Sequence, residues 1–166
     1  MCGIPGLGKS TWLQNHKDKF VGSVGIVSRD QIRFSMLEDG DDYFSKEKSV
    51  WAKYVNDAIA SLKLNENTVL DATHLNSASR QKILSALSAY LRHIEINIIY
   101  FEGTLGLALD RNENRKDQGL AYVPRSIIKR MAAQTEPPSL LKEDYIDKII
   151  TIDTKTGKIK KIEERE

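Results

Sequence analysis

Apolar and polar positions along the chain follow two alternating periods, which predict short strands separated by amphipathic helices. Short β-branched or apolar runs predict strands at 23–28, 68–70, 94–101 and 149–152. Apolar residues at helical spacing predict helices at about 11–20, 46–64, 77–92, 104–115 and 124–133, with another beginning near 29. The longest helix carries an apolar stripe formed by Val50, Trp51, Tyr54, Val55, Ala58, Ile59 and Leu62. We expect this stripe to face the core.

The alternation of strands and helices predicts a three-layer α/β/α domain with a parallel sheet and right-handed crossovers. The run 94–101 is apolar at most positions, which favours a strand buried on both faces of such a sheet. Near the end of the chain, Thr156 and Gly157 predict a turn that leads the segment 158–162 back as a hairpin.

Length and composition narrow the class of protein. The chain has 166 residues, of which 29% are charged and 40% hydrophobic, so we expect one globular domain spanning 1–166. Its net charge of +2 is too small to predict a nucleic-acid partner by itself. Cys2 is the one cysteine, which excludes an internal disulfide. With no membrane-spanning apolar run and no signal peptide, a cytoplasmic protein is expected, in a bacterium or a phage-infected host.

The first residues match the phosphate-binding loop pattern G-x-x-x-x-G-K-[ST], ending in Lys9 and Ser10. Its glycines, which let the main chain approach an anion closely, are Gly3, Gly6 and Gly8. A hydrophobic strand normally precedes such a loop, but here only Met1 and Cys2 do so. We therefore expect a first strand that is nearly absent or truncated by the choice of start codon.

The chemistry of this loop type indicates how the next residues bind ATP. Lys9 reaches the β- and γ-phosphates, Ser10 offers its hydroxyl to Mg²⁺, and Thr11 lies beside them in the first turn of the helix. The N-terminus of that helix adds a partial positive charge. The loop thus predicts a P-loop NTPase fold, but it serves ATPases, GTPases, motors and kinases and does not name a reaction by itself. For a kinase, we expect a nucleoside-kinase-like fold with ATP and Mg²⁺ as cofactors.

Polar side chains follow two of the predicted strands, where ligands sit in open α/β sheets. After the first, Asp30 and Arg33 lie one helical turn apart on one face. Asp30 is a candidate general base, and Arg33 can bind a phosphate or carboxylate of the acceptor in bidentate fashion. The alternative is a helix-capping Asp beside a surface Arg. After the second strand, Asp71 either orders Mg²⁺ or caps the following helix.

A basic segment at about 111–135 predicts a helical lid over the transferring phosphates. Its cationic side chains are Arg111, Arg115, Lys116, Arg125, Lys129 and Arg130. The alternative interpretation is a solvated basic helix face. The three histidines, His16, His74 and His93, lack metal-ligand spacing and receive no catalytic role.

Four segments together resemble the P-loop polynucleotide 5′-hydroxyl kinases, especially the phage type, over most of the chain. These are the phosphate loop at 3–12, the segment Ser-Arg-Asp-Gln-Ile-Arg at 28–33, the strand-end segment at 71–76, and the lid at 111–115 followed by Val123 and Pro124. The D-x-D-x-[TV] signature of a phosphatase is missing, so the 3′-phosphatase activity fused to some relatives is not expected.

The resemblance implies roles for single residues. Lys9 and Ser10 would bind ATP and Mg²⁺, and Asp30 would be the base. Arg33 would hold the acceptor phosphate, and Arg115 would be the lid arginine on the nucleotide phosphates. The remaining implied contacts are Arg111 to ATP, Asp71 to Mg²⁺ and acceptor, and Thr73 and Asn76 to the acceptor.

The sequence thus favours an ATP-dependent kinase that phosphorylates the 5′-hydroxyl of a DNA or RNA end, as in nucleic-acid repair. Two alternatives stay open. The chain could be a small-molecule P-loop kinase, because related loops serve many acceptors. It could also be an ATP-binding switch without kinase activity, in which case Asp30 is dispensable.

Overall fold

The structure is a computed structural model that describes residues 1–165, in which strands and helices alternate. The strands are β1 (Val24–Ser28), β2 (Asn67–Asp71), β3 (Asn97–Glu102), β4 (Lys148–Asp153) and β5 (Ile159–Glu164). The α-helices are α1 (Lys9–His16), α2 (Arg29–Met36), α3 (Glu47–Leu64), α4 (Ser77–Leu87), α5 (Leu105–Asp117) and α6 (Arg125–Ala133). Short 3₁₀ turns follow α1 at Lys17–Lys19 and α4 at Ser88–Tyr90. In the part of the chain that is described, no helix has the length and apolar character needed to cross a membrane.

The strands form two groups with parallel pairing. Strand β1 runs parallel to β2, and β3 runs parallel to β4. Strand β5 pairs antiparallel with β4, with a register shift between Thr151 and Ile152, and thereby forms the predicted hairpin. The expected parallel α/β architecture is confirmed, with one antiparallel strand at the edge.

Residues 1–3 join the two groups and take the place of a central strand. Toward β3, Cys2 donates its amide to the carbonyl of Ile99 at 2.8 Å and accepts from the amide of Phe101 at 2.9 Å. Toward β2, the amino group of Met1 donates to the carbonyl of Leu70 at 2.8 Å. The expected short first strand is therefore a single bridge, and it still anchors the phosphate loop to the middle of the sheet.

Of the three apolar clusters among the described residues, two hold the helices on the sheet. One contains Val50, Tyr54 and Ala58 from the predicted stripe of α3, all fully buried, packed on Ile83 and Leu87 of α4. The other joins the phosphate loop to α5 and α6 through Leu7, Leu13, Phe101, Ala108, Ile128 and Met131. The second cluster holds the basic segment against the loop, so its helices are part of the core packing.

Two predicted element boundaries are wrong around residue 93. Helix α4 ends at Leu87 and not at Arg92, and β3 begins at Asn97 and not at Ile94. After Leu87 the chain tightens into the 3₁₀ turn Ser88–Tyr90, and His93, with a left-handed φ of 61°, continues neither a helix nor a strand. Ile94 consequently lies outside the sheet and is 40% exposed.

A buried ion pair ties α4 to the chain after α6. Both side chains are 2% exposed; Arg80 donates from Nη2 to Glu143 Oε1 at 2.6 Å and from Nε to Oε2 at 2.7 Å. The other Arg80 nitrogen donates to the carbonyls of His74 and Glu136, each at 3.1 Å. Tyr145 adds a hydrogen bond to Glu143 at 2.7 Å. Arg80 thus holds together the loop after β2 and the segment that follows α6.

Candidate active site

The phosphate loop owes its shape to three glycines with left-handed or otherwise positive φ. These values are 145° at Gly3, 87° at Gly6 and 83° at Gly8. A Cβ on Gly6 would overlap the carbonyl oxygen of Ala108 in α5, so the loop lies directly on that helix. Gly8 begins α1 without a side-chain cap, which leaves the amide groups at the helix N-terminus available to an anion.

Replacing Gly6 with alanine should lower the melting temperature and weaken ATP binding more than the matched change Gly40→Ala. The two glycines have nearly equal φ, 87° and 89°, where a Cβ costs about 1–2 kcal/mol. Alanine at position 6 would in addition place its Cβ against the carbonyl of Ala108, whereas nothing lies within 4 Å of a Cβ at position 40. Thermal melts and calorimetric titration with ATP measure both effects. Equal losses in the two variants would contradict the close packing of the loop on α5.

Lys9 is folded onto the loop. Its Nζ donates to the carbonyls of Gly3 at 2.8 Å and Ile4 at 3.1 Å, and the side chain is buried. Burial lowers the pKa of Lys9, while the charges of Asp30 and Asp71 act in the opposite direction. Both predicted carboxylates thus favour the charged form of Lys9, although they come from different strand ends.

Ser10 and Asp71 meet beside the loop, where the Ser10 hydroxyl donates to Asp71 Oδ2 at 2.8 Å. A hydroxyl and a carboxylate are oxygen donors of the kind that Mg²⁺ prefers, so the pair fits the expected ion. Within residues 1–165 no three His, Cys, Asp or Glu side chains are grouped as a metal site, so nucleotide and water oxygens would supply the other ligands. Asp71 is not the cap of α4: Asn76 takes that place, in a capping box with Ser79.

One cleft, the phosphate-loop cleft, extends from the loop to the end of β4 with a volume of about 490 Å³. Its lining includes Gly6, Gly8, Thr11, Trp12, Asn15, His16, Arg111, Arg115 and residues 154–157. Arg111 donates to the carbonyl of Thr154 at 2.8 Å, and the Trp12 and His16 rings stack at 4.1 Å. The cleft thus brings both predicted lid arginines to the loop. Residues 154–157 were missed because turn residues after a strand carry no chemical signature.

A second cleft of about 380 Å³, here called the arginine cleft, lies at the ends of β1 and β2. It is lined by four predicted residues, Asp30, Arg33, Thr73 and Asn76, together with Arg29, Phe44, Arg130 and others. The fifth residue expected near the acceptor, Asp71, does not line this cleft and lies with Ser10. The structure therefore brings together residues from two separate strand ends, as the sheet topology predicts.

Arg33 is buried in the arginine cleft, with a residue exposure of 3%. Its Nη1 donates to Asp30 Oδ1 and to the Tyr43 hydroxyl, each at 3.2 Å, and its Nη2 donates to Glu47. Burial alone would lower the pKa of Arg33. The interactions of Arg33 with Tyr43 and Glu47 are stronger than this effect, so its pKa is raised. Arg33 Nε is buried without a partner in the described chain. The alternative of a surface arginine is wrong, and so is a capping Asp30, because Ser28 caps α2.

Glu47 and Arg29 complete this network, and the sequence did not reveal either. Glu47 accepts hydrogen bonds from both Arg29 and Arg33. The Arg29 guanidinium lies over the Trp51 ring, 5.4 Å from its centroid. Glu47 is 14 residues from Arg33, and no recognisable spacing pattern connects the two. Arg29 could have been proposed as a site residue because it directly precedes Asp30.

His74 lines the arginine cleft and is buried. Its φ is 41°, and its ring nitrogens bond to the Tyr54 hydroxyl at 3.2 Å and to the carbonyl of Met1 at 2.8 Å. Burial lowers the pKa of His74 to about 3, so the ring is neutral at physiological pH. Its contacts are those of a structural residue.

The depressed pKa of His74 predicts a pH-dependent stability. Because the unfolded state binds a proton near pH 6.5 and the folded state only near pH 3, stability is full above pH 6.5 and falls as the pH drops below it. Between pH 7 and pH 5 the loss is about 2 kcal/mol. His74→Asn should flatten this dependence in urea unfolding, since Asn also tolerates a left-handed φ. His93→Asn, at an exposed left-handed position, should leave it unchanged; the reverse pattern would contradict the assignment.

The basic segment combines two helices and a loop closed by Asn112. Its side chain, 1% exposed, donates to the carbonyl of Val123 at 2.8 Å and accepts from the Val123 amide at 2.9 Å. Arg111 and Arg115 line the phosphate-loop cleft, and Arg130 lines the arginine cleft. The segment thus touches both clefts and is more than a solvated helix face.

A parallel sheet with a phosphate loop ahead of its first helix, and a basic helical segment over that loop, define a P-loop kinase-like domain that binds ATP. Within this class, the sequence profile of the AAA domain family, AAA_33, matches residues 1–138, and the chain belongs to that family. No curated protein matches the chain in sequence.

Several solved structures are similar to the chain, among them the three that follow. The first is a chain of the Pnkp1/Rnl/Hen1 RNA repair complex, with 25% identity and a TM-score of 0.66; the match covers 80% of this chain and 42% of that one. The second is Kti12 from Chaetomium thermophilum in complex with ADP-AlF3, with 13% identity, coverage of 94% and 92%, and a TM-score of 0.63. The third is a gluconokinase from Sinorhizobium meliloti 1021, with 14% identity, coverage of 92% and 79%, and a TM-score of 0.54.

These likenesses confirm the three-layer α/β fold and the resemblance to P-loop polynucleotide kinases at the level of the family. The Kti12 and gluconokinase structures are less than 25% identical to this chain, so their similarity supports only the fold. This chain spans less than half the length of the chain it matches in the RNA repair complex.

Proposed function

We propose that the chain is an ATP-dependent kinase that transfers the γ-phosphate to the 5′-hydroxyl of a nucleic-acid end. The observation that carries the proposal is the Asp30–Arg33 pair, in which Arg33 donates to Asp30 Oδ1 at 3.2 Å, in a cleft also lined by Thr73 and Asn76 from the end of β2. A kinase acting on an alcohol needs a carboxylate beside the phosphate loop, and an ATP-binding switch does not. The likeness to a chain of an RNA repair complex supports a nucleic-acid acceptor.

In this mechanism, the acceptor enters the arginine cleft and Asp30 takes the proton of its 5′-hydroxyl. The hydroxyl oxygen bonds to the γ-phosphorus, the bond from that phosphorus to the β-phosphate oxygen breaks, and ADP leaves. Lys9 and Arg115 stabilise the charge on the phosphates, and Arg33 holds the phosphate next to the acceptor sugar. Mg²⁺, held by Ser10 and Asp71, would supply further charge neutralisation when bound.

A small-molecule acceptor is the second candidate, because a cleft of about 380 Å³ has the size of an ordinary small-ligand site. Its arginines suit any anionic acceptor, including a sugar acid such as gluconate. The acceptor must therefore be identified by a direct comparison.

The test incubates the chain with Mg²⁺, γ-labelled ATP and one acceptor from a panel. The panel holds a 5′-hydroxyl oligonucleotide in DNA and RNA form, the same strands already phosphorylated at the 5′ end, and gluconate. Label on the 5′-hydroxyl strands alone is the expected result. Label on gluconate alone would replace the proposal by a small-molecule kinase, and ATP binding without label on any acceptor would favour the switch.

A further inference from the structure

Arg130 is a cation at the mouth of the arginine cleft with no ion-pair partner in residues 1–165. It lies on α6 and is exposed, and its guanidinium carbon is 5.2 Å from the centroid of the Phe44 ring. The guanidinium carbon of Arg33 is 5.3 Å from the same centroid. The cleft therefore has an inner and an outer arginine next to one aromatic ring.

The position of Arg130 is fixed by the packing of its helix. Its neighbours Ile128 and Met131 are buried, at 0% and 7% exposure. Beyond the helix, Glu136 donates its amide to the carbonyl of Leu75 at 2.7 Å, which attaches the end of the basic segment to the rim of the cleft. The fold thus holds the backbone of Arg130 at the rim of the cleft.

The two arginines differ in what they leave open to a ligand. The Arg33 side chain is 4% exposed and bonded to Asp30, Tyr43 and Glu47, and its unpaired Nε is itself buried, so little of its guanidinium is open to the cleft. Arg130 keeps all its guanidinium N–H groups available within the described chain. Three arginines and Asp30 line the cleft, and Glu47 pairs with Arg29 and Arg33, so the positive charge left without a counter-ion in residues 1–165 is that of Arg130 at the rim.

We propose that Arg130 binds the second phosphate of an acceptor strand whose first phosphate lies at Arg33. This inference rests on the proposed function. The cleft has room for about one nucleotide, so the next nucleotide of a strand must lie at the rim, where Arg130 is. A strand presents phosphates at regular intervals, whereas a single nucleoside 3′-phosphate has none that reaches the rim. Arg130 consequently makes the enzyme prefer strands to single nucleotides.

The test compares Arg130→Gln with the matched variant Lys129→Gln, a neighbouring exposed cation on α6 that does not line the cleft. Each is assayed with two 5′-hydroxyl acceptors: a nucleoside 3′-phosphate, with one phosphate, and a dinucleotide ending in a 3′-phosphate, with two. Arg130→Gln should lower kcat/KM for the dinucleotide about 10-fold, the size of one charge-assisted hydrogen bond, and leave the single nucleotide unchanged. The salt dependence for the dinucleotide should lose about one unit of slope.

Each other outcome overturns the inference in a recognisable way. Equal losses with both acceptors would place Arg130 at the first phosphate, and no loss with either would remove it from the acceptor path. A Lys129→Gln variant that behaves like Arg130→Gln would indicate nonspecific charge attraction. If the unchanged chain phosphorylates neither acceptor, the proposed function itself fails. Circular-dichroism melts of both variants verify that the fold is retained.

Discussion

Asp30→Asn should lower kcat about 10²–10⁴-fold, the usual contribution of a general base, while ATP binds with unchanged affinity. Asp30 Oδ1 accepts hydrogen bonds from Arg33 at 3.2 Å and from Tyr43 at 3.3 Å, and the amide oxygen of asparagine can accept the same two. The substitution therefore keeps the two hydrogen bonds and removes the negative charge together with the ability to take a proton. Steady-state kinetics with a 5′-hydroxyl oligonucleotide and calorimetric titration with ATP separate the two properties.

Asp110→Asn is the matched control, because Asp110 is an exposed carboxylate on α5 that lines neither cleft. It should leave both kcat and ATP affinity unchanged. An Asp30→Asn enzyme with full turnover would exclude Asp30 as the base and leave the ATP-binding switch as the better interpretation.

Glu143→Gln should lower the free energy of unfolding by about 3–5 kcal/mol, because it leaves the Arg80 charge buried without its counter-ion. Burial acts to raise the pKa of Glu143, but hydrogen bonds from Arg80 and Tyr145 outweigh it and the pKa is lowered. The contribution of the carboxylate to stability is thus present above the ordinary glutamate pKa and is lost as the pH falls through the lower folded value. Urea unfolding at pH 7 measures the difference.

Asp57→Asn is the control for this prediction, since it breaks a pair of the same charge type on the surface. Lys53 and Asp57 lie 2.9 Å apart with side chains 49% and 38% exposed. Such pairs contribute about 0–1 kcal/mol. A Glu143→Gln variant no less stable than Asp57→Asn would show that Arg80 finds other partners, such as the two carbonyls it already contacts.

The sequence predicted those features that depend on local chemistry. The order of strands and helices follows from short-range periodicity, and the buried positions of α3 follow from its apolar stripe. The phosphate loop was recognisable because glycines at positions of positive φ leave few alternatives. The meeting of Asp30 and Arg33 with Thr73 and Asn76 follows from the rule that parallel strands end at one edge of a sheet.

The sequence could not predict contacts between residues that are far apart along the chain. Arg80 and Glu143 are 63 residues apart, and neither position differs in sequence from an ordinary surface charge. The central place of Cys2 could not be read either, because two residues are too few to show a strand period. In each case the partner is chosen by the packing of the whole domain, which leaves no trace in a local window.

The two tryptophans of the chain lie at different clefts. Trp12 lines the phosphate-loop cleft and stacks on His16. Trp51 packs against Arg29, which lines the arginine cleft, and its ring centroid is 4.3 Å from the Lys82 ammonium. Each cleft therefore has a tryptophan in its lining or in contact with a lining residue. Trp51→Phe leaves emission that reports on the phosphate-loop cleft, and Trp12→Phe leaves emission that reports on Arg29 and the arginine cleft. The order in which the two ligands bind can be followed in stopped flow without attaching a dye.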